Sequence, residues 1–238
     1  MTAEQWARTV RHQLGLGRLL PLGGPRDGAW ISEEAARAVL AAAAKDLHGV
    51  RLDAVRIGLA DPEDTHEPAV PPPPGALPPG PLRLTAEFGA TPAEPLPVTA
   101  ERLRTVLAGT AAGLLGLELG EVDLRVTALL DEDAEPSPVR QPEPPRPAET
   151  ERGDEALATV AALAVPGVGR LTGLLGPPVH ISDRTTGGGS LPRRHVRVEL
   201  AVGADRRAVD VAREVRAAVG AALSDRPTVA VLVTAVLT

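Results

Sequence analysis

The chain has 238 residues, a formal net charge of −6, no cysteine and only Trp6, Trp30 and Phe88 as aromatic residues. The missing thiols exclude disulfides, thiolate catalysis and cysteine-ligated metals. An acidic chain without aromatic platforms lacks both the basic groove and the stacking surfaces on which nucleic-acid binding rests, so no nucleic-acid partner is expected.

Residues 1–31 read as an amphipathic helix over 3–16, with Trp6, Val10 and Leu14 on one face, followed by an extended arm broken at Pro21, Gly23, Gly24 and Pro25. Ser32 is an N-cap candidate ahead of Glu33 and Glu34, and the stripe Ala36, Val39, Leu40, Ala43 and Leu47 predicts a helix that Gly49 ends. Val55–Leu59 alternates as a strand, and Leu82, Leu84, Ala86 and Phe88 alternate as its neighbour. Between them, a proline-rich insertion at 61–81, with Pro71–Pro74 and the pair Pro78 and Pro79, reads as a stiff surface loop rather than a ligand for an aromatic groove. Thr99 opens a second helix with Leu103, Val106, Leu107, Thr110 and Leu114 on one side, and Val122–Leu130 is the next strand. Residues 132–152 form an acidic, proline-rich linker without periodicity, expected to be disordered. Then come a helix over Asp154–Ala164 stopped by Pro166 and Gly167, strands at Val179–Ile181 and Val196–Val202, a helix capped by Asp205 and a last strand from Val229.

The order is written twice. Val122-Asp123-Leu124-Arg125-Val126-Thr127-Ala128-Leu129-Leu130 returns as Val229-Ala230-Val231-Leu232-Val233-Thr234-Ala235-Val236-Leu237. Leu82–Gly89 is echoed by Val196–Gly203, and His48-Gly49-Val50 by Pro166-Gly167-Val168. The expected fold is α+β: two tandem α-β-β-α-β two-layer sandwiches, at 32–131 and 153–238, each a three-stranded sheet with helices on one face.

The copies differ on the outer sheet face. Asp123, Arg125 and Thr127 are polar, whereas Ala230, Leu232 and Val236 leave the last strand apolar on both sides. A strand greasy on both faces is covered on both faces. These three residues are therefore the candidate protein-interaction positions, with burial by the N-terminal helix or by the first copy as the alternative.

Motifs for chemistry are weak. Gly167-Val168-Gly169-Arg170-Leu171-Thr172-Gly173 approaches a dinucleotide fingerprint, but a helix precedes it and a strand follows, the reverse of what pyrophosphate binding needs. Gly187-Gly188-Gly189-Ser190 lacks the Lys of a phosphate-binding loop, and no nucleophile elbow surrounds Ser190. Gly113-Leu114-Leu115-Gly116 and Gly173-Leu174-Leu175-Gly176 match the RNA-clamping G-x-x-G pattern, yet Leu-Leu offers a phosphate nothing. The five histidines show no metal-ligand spacing. No catalytic, cofactor-binding or metal-binding residue is assigned. The rival is a small-molecule- or metal-binding enzyme built on the second-copy hairpin, around His180, Asp183, Ser190 and His195.

Val196–Gly203, Val209–Val215 and Val229–Val236 together resemble the alkaline shock protein family of bacterial envelope-stress proteins. Glu87-Phe88-Gly89, Leu103–Leu107 and Val122–Leu130 resemble it in the first copy. The segments Leu14–Gly24 and Gly28–Ile31 are similar to an actinobacterial group often labelled after a nucleopolyhedrovirus ten-kilodalton fibrous protein. The viral role does not carry over, because no sustained heptads occur here. The shock-protein resemblance implies a non-enzymatic scaffold that works through a protein partner or self-association, with no cofactor and with membrane contact only through an anchored partner. The start of the chain shows no basic, apolar leader, and no apolar run approaches the ~20 residues of a bilayer span, so a cytoplasmic location is expected.

Overall fold

The computed structural model describes residues 17–131, 141–145, 153–184 and 193–237. The helix expected over 3–16, most of the 132–152 linker and the glycine run ending at Ser190 lie outside these residues.

A short antiparallel hairpin, β1 (Leu19–Pro21) and β2 (Ala29–Ser32), leads directly into helix α1 (Glu33–Lys45). Ser32 ends the strand and caps the helix, its hydroxyl accepting from Ala35 N at 3.2 Å, while Glu33 and Glu34 occupy the positive first turn. Strands β3 (Val50–Leu59) and β4 (Leu82–Ala90) pair antiparallel. Helix α2 (Leu96–Thr110) then runs into a wider π-type turn at Ala111–Leu115, and β5 (Leu119–Leu129) returns parallel to β4. Helix α2 starts at Leu96, three residues before Thr99, because Pro97 suits the first turn of a helix.

The second half repeats this pairing: α3 (Asp154–Leu163), β6 (Val168–Leu171), β7 (Val179–Arg184), β8 (Arg193–Gly203), α4 (Ala208–Ala222) and β9 (Thr228–Leu237). Strands β6 and β7 both run antiparallel to β8, and β9 runs parallel to it. End to end, β6 opposite Leu200–Val202 and β7 opposite Arg193–Val198 replace the single strand β3; the loop 172–178 leaves the strand line between them. Helix α4 starts at Ala208 after Arg207, so Asp205 stands outside the cap position.

The α+β class holds, but the second sheet is larger than three strands. Its order is β1-β2-β9-β8-β6 with β7 beside β6 on β8, whereas the first sheet is β3-β4-β5. The expected extended arm supplies two strands of this sheet, β2 lying parallel to β9 with Trp30 beside Leu232. An apolar arm segment meets an apolar open edge, and pairing satisfies the backbone groups of both.

The halves also share a core. Leu84, Phe88, Leu103 and Leu107 belong to one continuous buried cluster with Val198, Leu200, Val209 and Val215. Each such side chain contributes about 1.5–3 kcal/mol. Helix α1 touches β3, α2 and β9, so it serves both sheets. Asp27 pins the hairpin turn to α4: its carboxylate accepts from Gly24 N at 2.8 Å and from Arg213 Nε and Nη2 at 2.8 and 2.9 Å. The Arg213 hydrogen bonds hold the Asp27 carboxyl below its ordinary range.

Candidate interaction surface

Ala230 and Leu232 are both fully buried on the outer face of the second sheet. They pack with Leu19, Trp30 and Val70, and with the partly buried Ala76 and Leu175. Val70 and Ala76 belong to the proline-rich insertion, which folds across the sheet instead of standing out as a surface loop. Leu77 N donates to Leu19 O at 2.9 Å, and Trp30 Nε1 donates to Leu77 O at 3.2 Å. The first half therefore covers these positions within the chain, and they present no free surface to a partner.

Val236 is buried for another reason. The pairing of β8 and β9 shifts between Leu200 and Ala201, leaving Thr234 as the extra residue of a bulge. A bulge reverses the alternation beyond it, and Val236 consequently joins the main core.

The hairpin constellation of the second half is split. Registers place His180 opposite Arg197 and Ser182 opposite His195 on the outer face, whereas Asp183 sits opposite Arg194, one position out of phase. Arg194 instead pairs with Asp154 and Asp225, at 2.7 and 3.2 Å. His195 is buried, its Nδ1 2.8 Å from Thr228 Oγ1. Among the described residues no group of His, Asp and Glu has metal-binding geometry.

What the sequence reading missed on this face is Glu199. Its fully buried carboxylate accepts from Leu174 N at 2.6 Å and Leu175 N at 2.9 Å. Arg197 Nη2 lies 3.0 Å from the other oxygen, as an ion pair rather than an aligned hydrogen bond. Burial pushes the carboxyl up to about 6, against the opposing pull of Arg197 and the two amides. The amides of the G-x-x-G segment thus do hold an anion, but it is the chain's own carboxylate. It fixes the loop 172–178 over the sheet and leaves neither donor for a phosphate.

The open surface is in the first sheet. Strand β5 matches β9: Val122 sits beside Leu84 as Val229 sits beside Val196, and Val126 beside Phe88 as Val233 beside Leu200. Among the described residues β5 pairs with β4 alone, so its far edge is open. On β9 the same edge takes β2, Val231 N donating to Gly28 O at 3.1 Å. Leu124 matches Val231, so its N–H and C=O point to the open side, as do those of Val122, whose carbonyl accepts from Arg104 Nε at 3.4 Å. Exposure follows: Val126 is 37% exposed where Val233 is fully buried, and Leu129 is 71% exposed.

The outer face of β5 carries two acids followed by a base, Glu121, Asp123 and Arg125. Arg83 pairs with Glu121 and lies 3.5 Å from Asp123, and Arg125 lies 3.8 Å from Glu87. Two other features are exposed. Leu47, Pro97, Val98, Glu101, Arg102, Thr105 and Val106 line an open groove of about 550 Å³, and α3 presents Leu157, Val160 and Leu163.

Among the described residues no helix is long and apolar enough to cross a membrane. Compared with protein-family models, curated proteins and solved structures, the chain matches none.

Proposed function

We propose that this chain is a non-enzymatic protein-interaction scaffold whose working surface is the open edge of β5. The observation that carries this reading is the contrast between two matched strands, one edge filled by β2 and the other unpaired among the described residues. An open edge presents a row of backbone donors and acceptors that an incoming strand can satisfy. Natural edges are blunted by charges, Pro, bulges or short length; β5 is 11 residues long without Lys or Pro, and its bulges, at Gly120 and Thr127, lie outside Val122–Val126. Its central outward charges, Asp123 and Arg125, are of opposite sign, which admits a complementary strand while rejecting a mismatched one. The resemblance to alkaline shock proteins supports the same class of role, a cytoplasmic scaffold linked to envelope stress, and the paired halves fit an ancestral duplication.

The enzyme reading finds less support, because His180 and His195 lie apart from Asp183 and the buried carboxylate is spent on a loop. Proline at an outward-facing edge position removes a donor without touching the ladder to β4. Wild-type chain used as bait is expected to retain protein, or further copies of itself, that a Leu124→Pro chain of equal helical content does not. Equal retention by the two would overturn β5 as the working surface.

A further inference from the structure

We infer that the strand β5 accepts is the β5 of a second copy, paired antiparallel about a two-fold axis at Leu124. This rests on the edge reading above and names its occupant. In that register Val122 faces the partner's Val126, Asp123 faces the partner's Arg125, and Leu124 faces its own copy. Leu124 directs its N–H and C=O outward, so the central pair exchanges both hydrogen bonds. Asp123 and Arg125 then form non-hydrogen-bonded pairs, the closer kind, in which side chains of opposite charge attract.

Both residues are free to do so. Their side chains are 60% and 76% exposed, and their contacts to Arg83 and Glu87 are long at 3.5 and 3.8 Å. The register is selective. A shift of two residues keeps the outward groups facing each other but sets Asp123 against Asp123 or Arg125 against Arg125, and like charges directly opposite destabilise a sheet. A shift of one residue puts inward-facing backbone groups opposite outward ones. Pairing extends over Val122–Val126 and stops at Thr127, where the β4–β5 ladder shifts. It covers Val126, which is exposed in the single chain, and joins two three-stranded sheets into one.

Light scattering behind size exclusion, over a concentration series, reads the assembly: twice the mass of the 24.6 kDa chain is expected as concentration rises. Arg125→Asp places two carboxylates opposite each other twice and is expected to weaken the dimer about tenfold or more. Adding Asp123→Arg in the same chain reverses both signs and is expected to restore it. Because the chain has no cysteine, Leu124→Cys reads the register, since a paired Cα separation of ~5.5 Å suits a disulfide. Oxidised Leu124→Cys is expected to cross-link, and Val122→Cys is not.

A wild-type chain that stays monomeric, a charge swap that fails to restore a dimer lost in Arg125→Asp, or equal cross-linking at Val122 would overturn the inference. The edge reading fails separately. A monomer that still retains other proteins in a Leu124→Pro-sensitive way keeps β5 as a binding edge with a different occupant.

Discussion

Thr127 and Thr234 occupy one position in two sheets. Each is the extra residue of a bulge, and each hydroxyl donates to the matched carbonyl on the neighbouring strand, Phe88 O at 3.4 Å and Leu200 O at 3.2 Å. Their surroundings differ. Thr127 is exposed, with Asp53 Oδ2 3.3 Å away, while Thr234 is buried and also meets Thr172 Oγ1 at 2.8 Å. Valine at 234 leaves buried polar groups short of a partner and is expected to cost about 1–3 kcal/mol. Valine at 127 should stay within about 0.5 kcal/mol. Urea unfolding of the two variants measures the difference.

Those threonines were visible in the sequence as Val-Thr-Ala repeated in place, and the stripes that made α1 and α4 were equally plain. The matched strands β4 and β8 were harder to align. Sequence similarity set Leu82 against Val196, whereas the ladders set Leu84 against Val196 and Phe88 against Leu200. A slip of two residues keeps every side chain on its face, so periodicity alone could not detect it. Two other features depended on contacts remote in sequence. Nothing local in Ala29–Ser32 says that it pairs with Val231–Val233, and Val196–Val202 shows one Glu among alternating residues whether it faces water or a folded-back loop. The clue to Glu199 lay in its neighbours: Ala230 and Leu232 already required a cover on that face.

Glu199 gives the chain a signature in acid. Its carboxyl titrates at about 6 in the folded chain and near the ordinary 4.5 when unfolded. Between those values the folded state holds the proton that the unfolded state has released, so this group's contribution falls as pH rises. Below about 4.5 both states are protonated and nothing is lost. Above about 6 the loss is complete, about 2 kcal/mol. Relative to wild type, Glu199→Gln should therefore remove a downward slope in stability across pH 4.5–6. Denaturant midpoints taken at half-unit steps test this, and parallel profiles for the two chains would contradict it.

Leu232 and Arg125 are the matched pair on the outer faces. Leu232 is fully buried under the insertion, while Arg125 faces solvent. Truncating Leu232 to Ala opens a cavity between Trp30 and Val70 and is expected to cost about 2–4 kcal/mol. Arg125→Ala should cost the single chain little, because its ion pair is long and solvated. Leu232→Asp would bury an unpaired charge and should unfold the chain rather than expose a changed surface. Thermal melts followed by circular dichroism separate these outcomes from changes in assembly.

Gly113 and Gly116 bracket the first Gly-Leu-Leu-Gly segment, and they predict opposite results for the same substitution. Gly116 ends the π-type turn at φ +89°, donates to Ala111 O at 2.8 Å and accepts from Gly23 N at 3.0 Å. A Cβ built there would lie 2.3 Å from Val209 Cγ1, at the start of α4. Both the left-handed backbone and the clash oppose Ala, so Gly116→Ala should cost about 2 kcal/mol or more and loosen the contact between the halves. At Gly113 a Cβ meets nothing within 4 Å and the backbone is helical, so Ala should stabilise by about 0.4–1 kcal/mol. An RNA-clamping loop would instead tolerate either change in stability and lose binding. Denaturant midpoints moving in opposite directions identify the segment as the joint between the two halves.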